Sequence, residues 1–522
     1  MARGAQTAVL GVTAAVLVSK VLGFLREVVI AGRFGTSSEY DAYLIAIIPP
    51  AMFYGVLNFA GFYYLVPYFT RKLQAVGTKD KHHWRALWPG VNVWLIVSLA
   101  LTAAIWLFAP LLMRIWTDQY SAEVFSTVVY YTRLMSIIVV LGTTEAFQRA
   151  YLNIRQIQIY PAMGYVVFNT VAIAGIILLH SEYGVGAIAI GFIAGLLAQN
   201  LLLAVRLAGF GAFGKVSLFL KAEDTKSVLG VGGLIVLIEG INRSYFLIDR
   251  YFAPGFGEGV VSALAYDQVL ITLPEAVIGF AVGAVLFPRL ATSAARADEA
   301  GFDRLYGRAV TAAVLLAAPI ASIMIVGAEE IVRLVFARGA FGEESVVLTA
   351  QALRFLAPSV VALFVISMSI RACYSRGMEK LVLAAAAAML GLKYLATIVA
   401  IEPLGYRGIP LASSLAYCGL GVAMFVGLRS GRDSLRIAAV GSRLVRIVAA
   451  GAVVTTALLL AHDRLVDFVN VDQVHLQALL RIIILAVAVF VGYGLALSIL
   501  GLGRFSVEVL TGRSRSDGGD RS

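Results

Sequence analysis

Charge is what this chain has least of. Only 14% of its 522 residues are Asp, Glu, Lys or Arg, against 60% hydrophobic, and the mean hydropathy is +0.87. No soluble core absorbs that much apolar surface, which excludes an ordinary globular protein. Cysteine is nearly absent. Cys373 and Cys418 both lie in apolar stretches, so neither a disulfide framework nor a thiolate metal site is indicated. The five histidines, His82, His83, His180, His462 and His475, lack metal-ligand spacing, and no GxxxxGK[ST] loop occurs, so neither a metal nor a nucleotide cofactor is expected. The N-terminal stretch has no short apolar core followed by a small-residue cleavage site, so residue 1 onward reads as mature protein. Short segments of alternating hydrophobicity are missing too, which removes the β-barrel.

What is present is a succession of apolar runs, each about 20 residues and long enough to cross a hydrocarbon core of about 30 Å as a helix. The expected fold is therefore an all-α polytopic membrane protein of about fourteen transmembrane helices. Expected limits are 8–32, 41–69, 88–113, 125–148, 159–180, 185–208, 228–251, 259–288, 309–335, 346–373, 380–402, 406–428, 444–462 and 479–501. The net charge of +11 falls in alternate loops, around Lys79, Arg149, Lys221, Arg296, Arg376, Arg436 and Arg513, while "TDQYSAEV" and "HSEYG" carry little positive charge. That asymmetry places both termini on the cytoplasmic side and makes a nucleic-acid partner unnecessary.

The chain repeats itself. Arg133 and Arg149 have counterparts in Arg354 and Arg371, and Gly35 and Pro67 in Gly257 and Pro288, all in one register to within a single position. Six spans separate the copies, so the halves run in the same sense, as two six-helix lobes in a parallel pseudo-twofold repeat plus two C-terminal helices. The expected division is an N-lobe over 1–208, a cytoplasmic loop over 209–227, a C-lobe over 228–428, two further spans over 429–501 and a disordered tail over 502–522.

A charge near the bilayer centre needs a partner, a wet chamber or an escape to the interface. Lys20, Arg26 and Glu27 share one face of the first span, which either lines a chamber or lets Arg26 and Glu27 snorkel. Asp41 opens the second span and either caps it or serves a ligand. Glu239 and Arg243, four apart on the seventh span, either neutralise one another or face a ligand. Arg133, Glu145, Asp267, Glu275, Arg354 and Lys393 also fall in apolar runs. Lys and Arg aimed into low dielectric suit a phosphate or diphosphate, with Arg offering fork geometry.

"SKVLGFLRE" (19–27), "FG" (34–35) and "DAYLIA" (41–46) resemble the signature of the MurJ/MviN group of lipid-linked saccharide flippases in the MOP exporter superfamily, and "VSALAYDQVLITLPEAVIGFAVGAVLFPRLA" (261–291) resembles that group's eighth helix. The resemblance implies a transporter, not an enzyme. Its partner would be a polyprenyl-pyrophosphate-linked saccharide such as lipid II, moved across a bacterial cytoplasmic membrane by alternating access among membrane lipids. A coupling ion or the membrane potential would drive it. By the same resemblance Lys20, Arg26 and Asp41 inherit a substrate-binding role. The chain departs from the group at Tyr54 and Gly55, where an Arg-Arg pair is usual, and at Val269, where another arginine is usual. Glu239, Arg243 or Lys393 are the candidate replacements. The departures leave open an exopolysaccharide or O-antigen unit as cargo. A drug or cation antiporter of the same superfamily would favour acidic residues where the first span is basic.

Overall fold

The computed structural model describes residues 2–76, 87–118, 121–210, 233–275, 298–428, 434–467 and 471–503, with 290, 292, 293, 296 and 469. Lys79, Lys221, Pro288, Arg513, most of the loop expected at 209–227 and nearly all of the tail lie outside these residues. The described residues form α-helices joined by short turns and contain no strand. Among the described residues eight helices are long and apolar enough to cross a membrane, or up to ten when each of two bent pairs counts as one span.

Two compact units divide the chain: Met1–Ser262 with Arg338–Phe341, and Ala263–Ala337 with Gly342–Ser522. The first contains Ala2–Phe34 (α1), Ser38–Ala46 (α2), Ile48–Val76 (α3), Trp88–Thr117 (α4), Ala122–Met135 (α5), Ile138–Ile154 (α6), Ile159–Tyr183 (α7), Gly186–Ala208 (α8) and Gly233–Phe252 (α9). A 3-10 turn at Ala253–Phe256 then leads into Val260–Pro274 (α10). One of its cores is rich in aromatic rings, with Tyr64, Tyr68 and Phe69 of α3 packed on Trp94 of α4 and Phe147 and Tyr151 of α6. Glycine sets the α7–α8 crossing. A Cβ at Gly191 would lie 2.8 Å from the Ala172 carbonyl oxygen, and one at Gly175 2.8 Å from the Gly191 Cα. Backbones approach this closely in lipid because small residues let dispersion act where no hydrophobic drive exists.

The second unit contains most of α10, then Glu299–Val326 (α11), Ala328–Phe336 (α12), Glu343–Leu356 (α13), Ser359–Ser375 (α14), Glu379–Leu404 (α15), Gly408–Gly427 (α16), Ser434–Val466 (α17) and Val474–Ile499 (α18). The duplication read from arginines and glycines is carried by whole elements. The α5–α6 pair has 14 and 17 residues, and so has the α13–α14 pair, with all four boundaries displaced by the same step along the chain. Gly35 and Gly257, repeat mates, both take positive φ, 55° and 110°. Arg133 and Arg354 keep the register with different partners. The first donates to the Trp106 carbonyl and stacks on its ring; the second pairs with Glu329 at 2.9 Å.

Candidate functional site

The charges of α1 are held from within the first unit. Arg26 donates through Nε and Nη2 to Glu27 Oε1 (3.2 and 2.7 Å) and through Nη1 to Asn169 Oδ1 of α7 (3.1 Å). Its guanidinium lies over the rings of Phe168 and Phe192, 5.5 and 5.8 Å from the centroids, where the ring quadrupoles favour a cation. Asn169 closes the arrangement by donating to the carbonyls of Tyr165 and Ser19. Neighbouring Lys20 is exposed and makes no ion pair among the described residues.

Asp41 is only 2% exposed. Its Oδ2 accepts from the Gly259 N–H and its Oδ1 from the Ser262 N–H, both at 2.7 Å, so it caps α10. The helix it was read as opening is capped by Ser37, whose Oγ accepts from the Tyr40 N–H. Gly259 has φ +82°, and a Cβ there would lie 2.6 Å from the Thr36 carbonyl oxygen, so the Asp41 cap fits a turn that only glycine adopts without strain.

A second cluster joins α3, α6, α7, α8 and α9. Glu239 and Arg243 of α9 form an ion pair with Nε 2.9 Å from Oε1, Arg243 being 39% exposed. A Cβ at Gly55 of α3 would fall within the Arg243 guanidinium, so the bare backbone there is the seat of that side chain. The adjacent Tyr54 ring lies against Gly142 of α6 in the same way. One turn further along α6, Glu145, 2% exposed, meets Arg149 with Nε 3.2 Å from Oε1. Three neutral donors also converge on that carboxylate: Asn58 Nδ2, Tyr165 Oη and Gln199 Nε2. Arg149 Nη2 donates to Asn58 Oδ1 at 2.9 Å, and the guanidinium covers the Phe62 ring at 4.3 Å.

Of the residues singled out from the sequence, the fold ties Arg26 to Glu27 and Asn169, pairs Glu239 with Arg243 beside Gly55, leaves Lys20 exposed on α1 and commits Asp41 to a helix terminus. Lys393 belongs to the second unit, fully buried in α15. Asn58, Tyr165, Asn169 and Gln199 were not among them, and Arg149, read from the sequence as a loop charge and repeat marker, lies within α6 paired with Glu145. The available signal was the Glu145–Arg149 spacing of four inside an apolar run, the same pattern as Glu239–Arg243. The second unit holds the repeat counterpart: Arg371 donates to Ser367 Oγ, which donates to Glu275 Oε1. Ser367 occupies the repeat position of Glu145, as Arg371 occupies that of Arg149. The second unit also carries an open apolar groove of about 700 Å³, lined by residues such as Val314, Ala318, Val422, Phe425 and Val448. No group of three His, Cys, Asp or Glu suited to a metal occurs among the described residues.

The fold is that of a multi-pass, all-helical membrane protein, and the charges described here sit in it as guanidinium–carboxylate pairs within the first unit. The fold itself is that of the MOP superfamily. A solved lipid II flippase MurJ in an inward closed conformation matches with a TM-score of 0.76 at 18% identity, over 94% of this chain and 99% of the other. An inward-facing multidrug resistance MATE family transporter matches at 0.66 and 16% identity, over 81% and 96%. The family model described as lipid II flippase MurJ matches residues 30–492, and the chain belongs to that family. The probable lipid II flippase MurJ of Rhizobium meliloti (strain 1021) is 27% identical over 470 residues, covering 86% of this chain and 85% of that protein. The lipid II flippase MurJ of Burkholderia cenocepacia is 25% identical over 435 residues, covering 81% and 83%.

Proposed function

We propose that this chain moves lipid II, an undecaprenyl-pyrophosphate-linked saccharide, from the inner to the outer leaflet of a bacterial cytoplasmic membrane by alternating access. The repeat halves 1–208 and 228–428 are the two lobes of that cycle, 429–501 adds two accessory spans, and both termini are cytoplasmic. The carrying observation is the Arg243 guanidinium lying where Gly55 has no side chain. A cation absent from α3 is thereby supplied from α9 at the same place. Arg243, Arg26 and Lys20 bind the diphosphate, with Glu239 orienting Arg243. Lys393, fully buried, supports α15 in this reading instead of touching the cargo. The open apolar groove of the second unit suits an isoprenoid chain. Energy comes from the membrane potential or a coupled ion. An exopolysaccharide or O-antigen unit as cargo rested on the losses at Tyr54, Gly55 and Val269. The position of Arg243 removes the weight of the loss at Gly55.

The test is rescue of cells depleted of their own lipid II flippase, with membrane expression verified. Growth that disappears with Arg26→Ala supports the reading. No rescue by well-expressed protein overturns lipid II as the cargo.

A further inference from the structure

Arg133 and Arg354 occupy the same place in the repeat, yet among the described residues only Arg354 has a carboxylate partner. In the second unit Glu329 of α12 meets it at 2.9 Å. The step that carries α5 onto α13 carries Phe108 of α4 onto Glu329, and Leu107 beside it is apolar as well, so the first copy offers no counter-ion there. Arg133 instead donates through Nε to the Trp106 carbonyl at 3.1 Å and lays its guanidinium over the indole, 5.0 Å from the centroid. No acceptor among the described residues meets its Nη1 or Nη2, and neither nitrogen is enclosed.

The depth of this group makes the missing partner costly. Helix α5 begins at Ala122 under a Ser121 cap, and Arg133 stands about 16 Å further along its axis, against about 15 Å for half of a hydrocarbon core. A helical side chain leans toward the helix N-terminus, here toward the α4–α5 turn. On that route Glu123, Ser126, Tyr130 and Arg133 recur at intervals of three and four along one face of α5, the first three exposed and Arg133 half-buried at its foot. Tyr130 is 62% exposed, and its hydroxyl makes no hydrogen bond among the described residues. The surface beside this stripe is apolar, with Trp106, Leu107, Phe108 and Leu111 of α4 all exposed. A cation open to such a surface within the bilayer needs an anion brought to it, and acyl chains are what the apolar side chains would lie against.

We infer that Arg133 and Tyr130 form a binding site for the phosphate of an anionic phospholipid, drawn below the usual headgroup level of the leaflet on the α4–α5 side. The two Nη groups donate to phosphate oxygens in the fork geometry of a guanidinium, and Tyr130 Oη donates from one turn nearer the headgroups. The acyl chains run along Trp106, Leu107, Phe108 and Leu111. The lipid thereby supplies to the first unit the ion pair that the second builds from Glu329. By the orientation proposed above this is the outer leaflet. The site stands apart from the cargo reading, since neither α4 nor α5 contributes a side chain to the groups around Arg26 or Arg243.

The test is native mass spectrometry of the purified full-length protein titrated in neutral detergent with dioleoylphosphatidylglycerol, with thermal unfolding to establish that each variant is folded. Wild type is expected to retain one lipid that Arg133→Gln loses, the affinity falling about tenfold or more. Tyr130→Phe should weaken the same step several-fold. Phe108→Glu, which keeps Arg133 and gives it the kind of partner Arg354 has, should also release that lipid, whereas Arg354→Gln should retain it. Dioleoylglycerol, which lacks the phosphate, should not be held. Equal retention of phosphatidylglycerol by folded Arg133→Gln or Phe108→Glu overturns the site, and equal retention of dioleoylglycerol by wild type overturns phosphate recognition. Two further probes separate the sources of phosphate: inorganic phosphate without lipid, and farnesyl-diphospho-N-acetylglucosamine, a P1,P2-diester standing in for the cargo. Arg133-dependent binding of the former alone, or of the diester more tightly than phosphatidylglycerol, overturns the assignment to a phospholipid.

Discussion

Gly55→Ala separates stability from function, because the added methyl meets only the far end of a flexible side chain. The Cβ would fall within the Arg243 guanidinium, which must swing away. For the fold that is a small event. The ion pair with Glu239 is 39% exposed on the arginine side and screened, so its loss costs a few tenths of a kcal/mol at most. Alanine in place of glycine inside α3 returns about 0.5–1 kcal/mol. The melting temperature in detergent should stay level or rise slightly. Transport should not follow. Displacing the guanidinium forfeits one charge-assisted contact to the diphosphate, about 1.5–3 kcal/mol, or a loss of about ten- to a hundredfold in affinity. Gly55→Arg combined with Arg243→Ala moves the cation back to α3 and should recover a substantial part of that loss. Diester binding and thermal unfolding on the same preparations check both halves. If Gly55→Ala binds like wild type, or the swapped pair is folded but as weak as Arg243→Ala alone, the reasoning about Arg243 is refuted.

Asp41→Ala leaves two backbone N–H groups at the start of α10 without their acceptor, which should destabilise by about 2–4 kcal/mol; Asp41→Asn, retaining one carbonyl acceptor, should cost about half, and thermal unfolding compares them. Gly259→Ala combines a left-handed backbone with a collision against Thr36, so it should lose about 1–3 kcal/mol or more by the same assay; a neutral result would show that the cap is pliable. Gly191→Val should push α7 from α8 and destabilise by about 1–3 kcal/mol or more, while Gly233→Ala, with open space around its Cβ, should be silent; equal effects would contradict the tight crossing.

The duplication was legible from four sequence markers because glycine at positive φ and arginine in apolar runs are costly enough to occur only where structure demands them. The pairs Arg133 and Arg354, Arg149 and Arg371, Gly35 and Gly257, and Pro67 and Pro288 carried it. The polar face of α1 was legible for the same reason. Asp41 shows the limit: periodicity suggests a cap, but the helix it caps begins at Val260, in the other copy of the repeat. Gly55 was visible only as a missing arginine, since what fills a vacancy is a tertiary fact; Arg243 reaches it from α9, with five helices between them in the chain. Glu145 was visible as a buried charge. Its importance comes from Asn58, Tyr165 and Gln199 on three other helices, whose convergence no local pattern encodes.

Proteoliposomes containing the purified protein and labelled lipid II in one leaflet give the most direct measurement, reading arrival of the label in the other leaflet over time. The account predicts rapid exchange with wild-type protein, loss with Arg243→Ala at normal incorporation, and little transport of a monophosphate-linked analogue. Equal rates for the monophosphate and diphosphate cargoes, or full activity of Arg243→Ala, would contradict it.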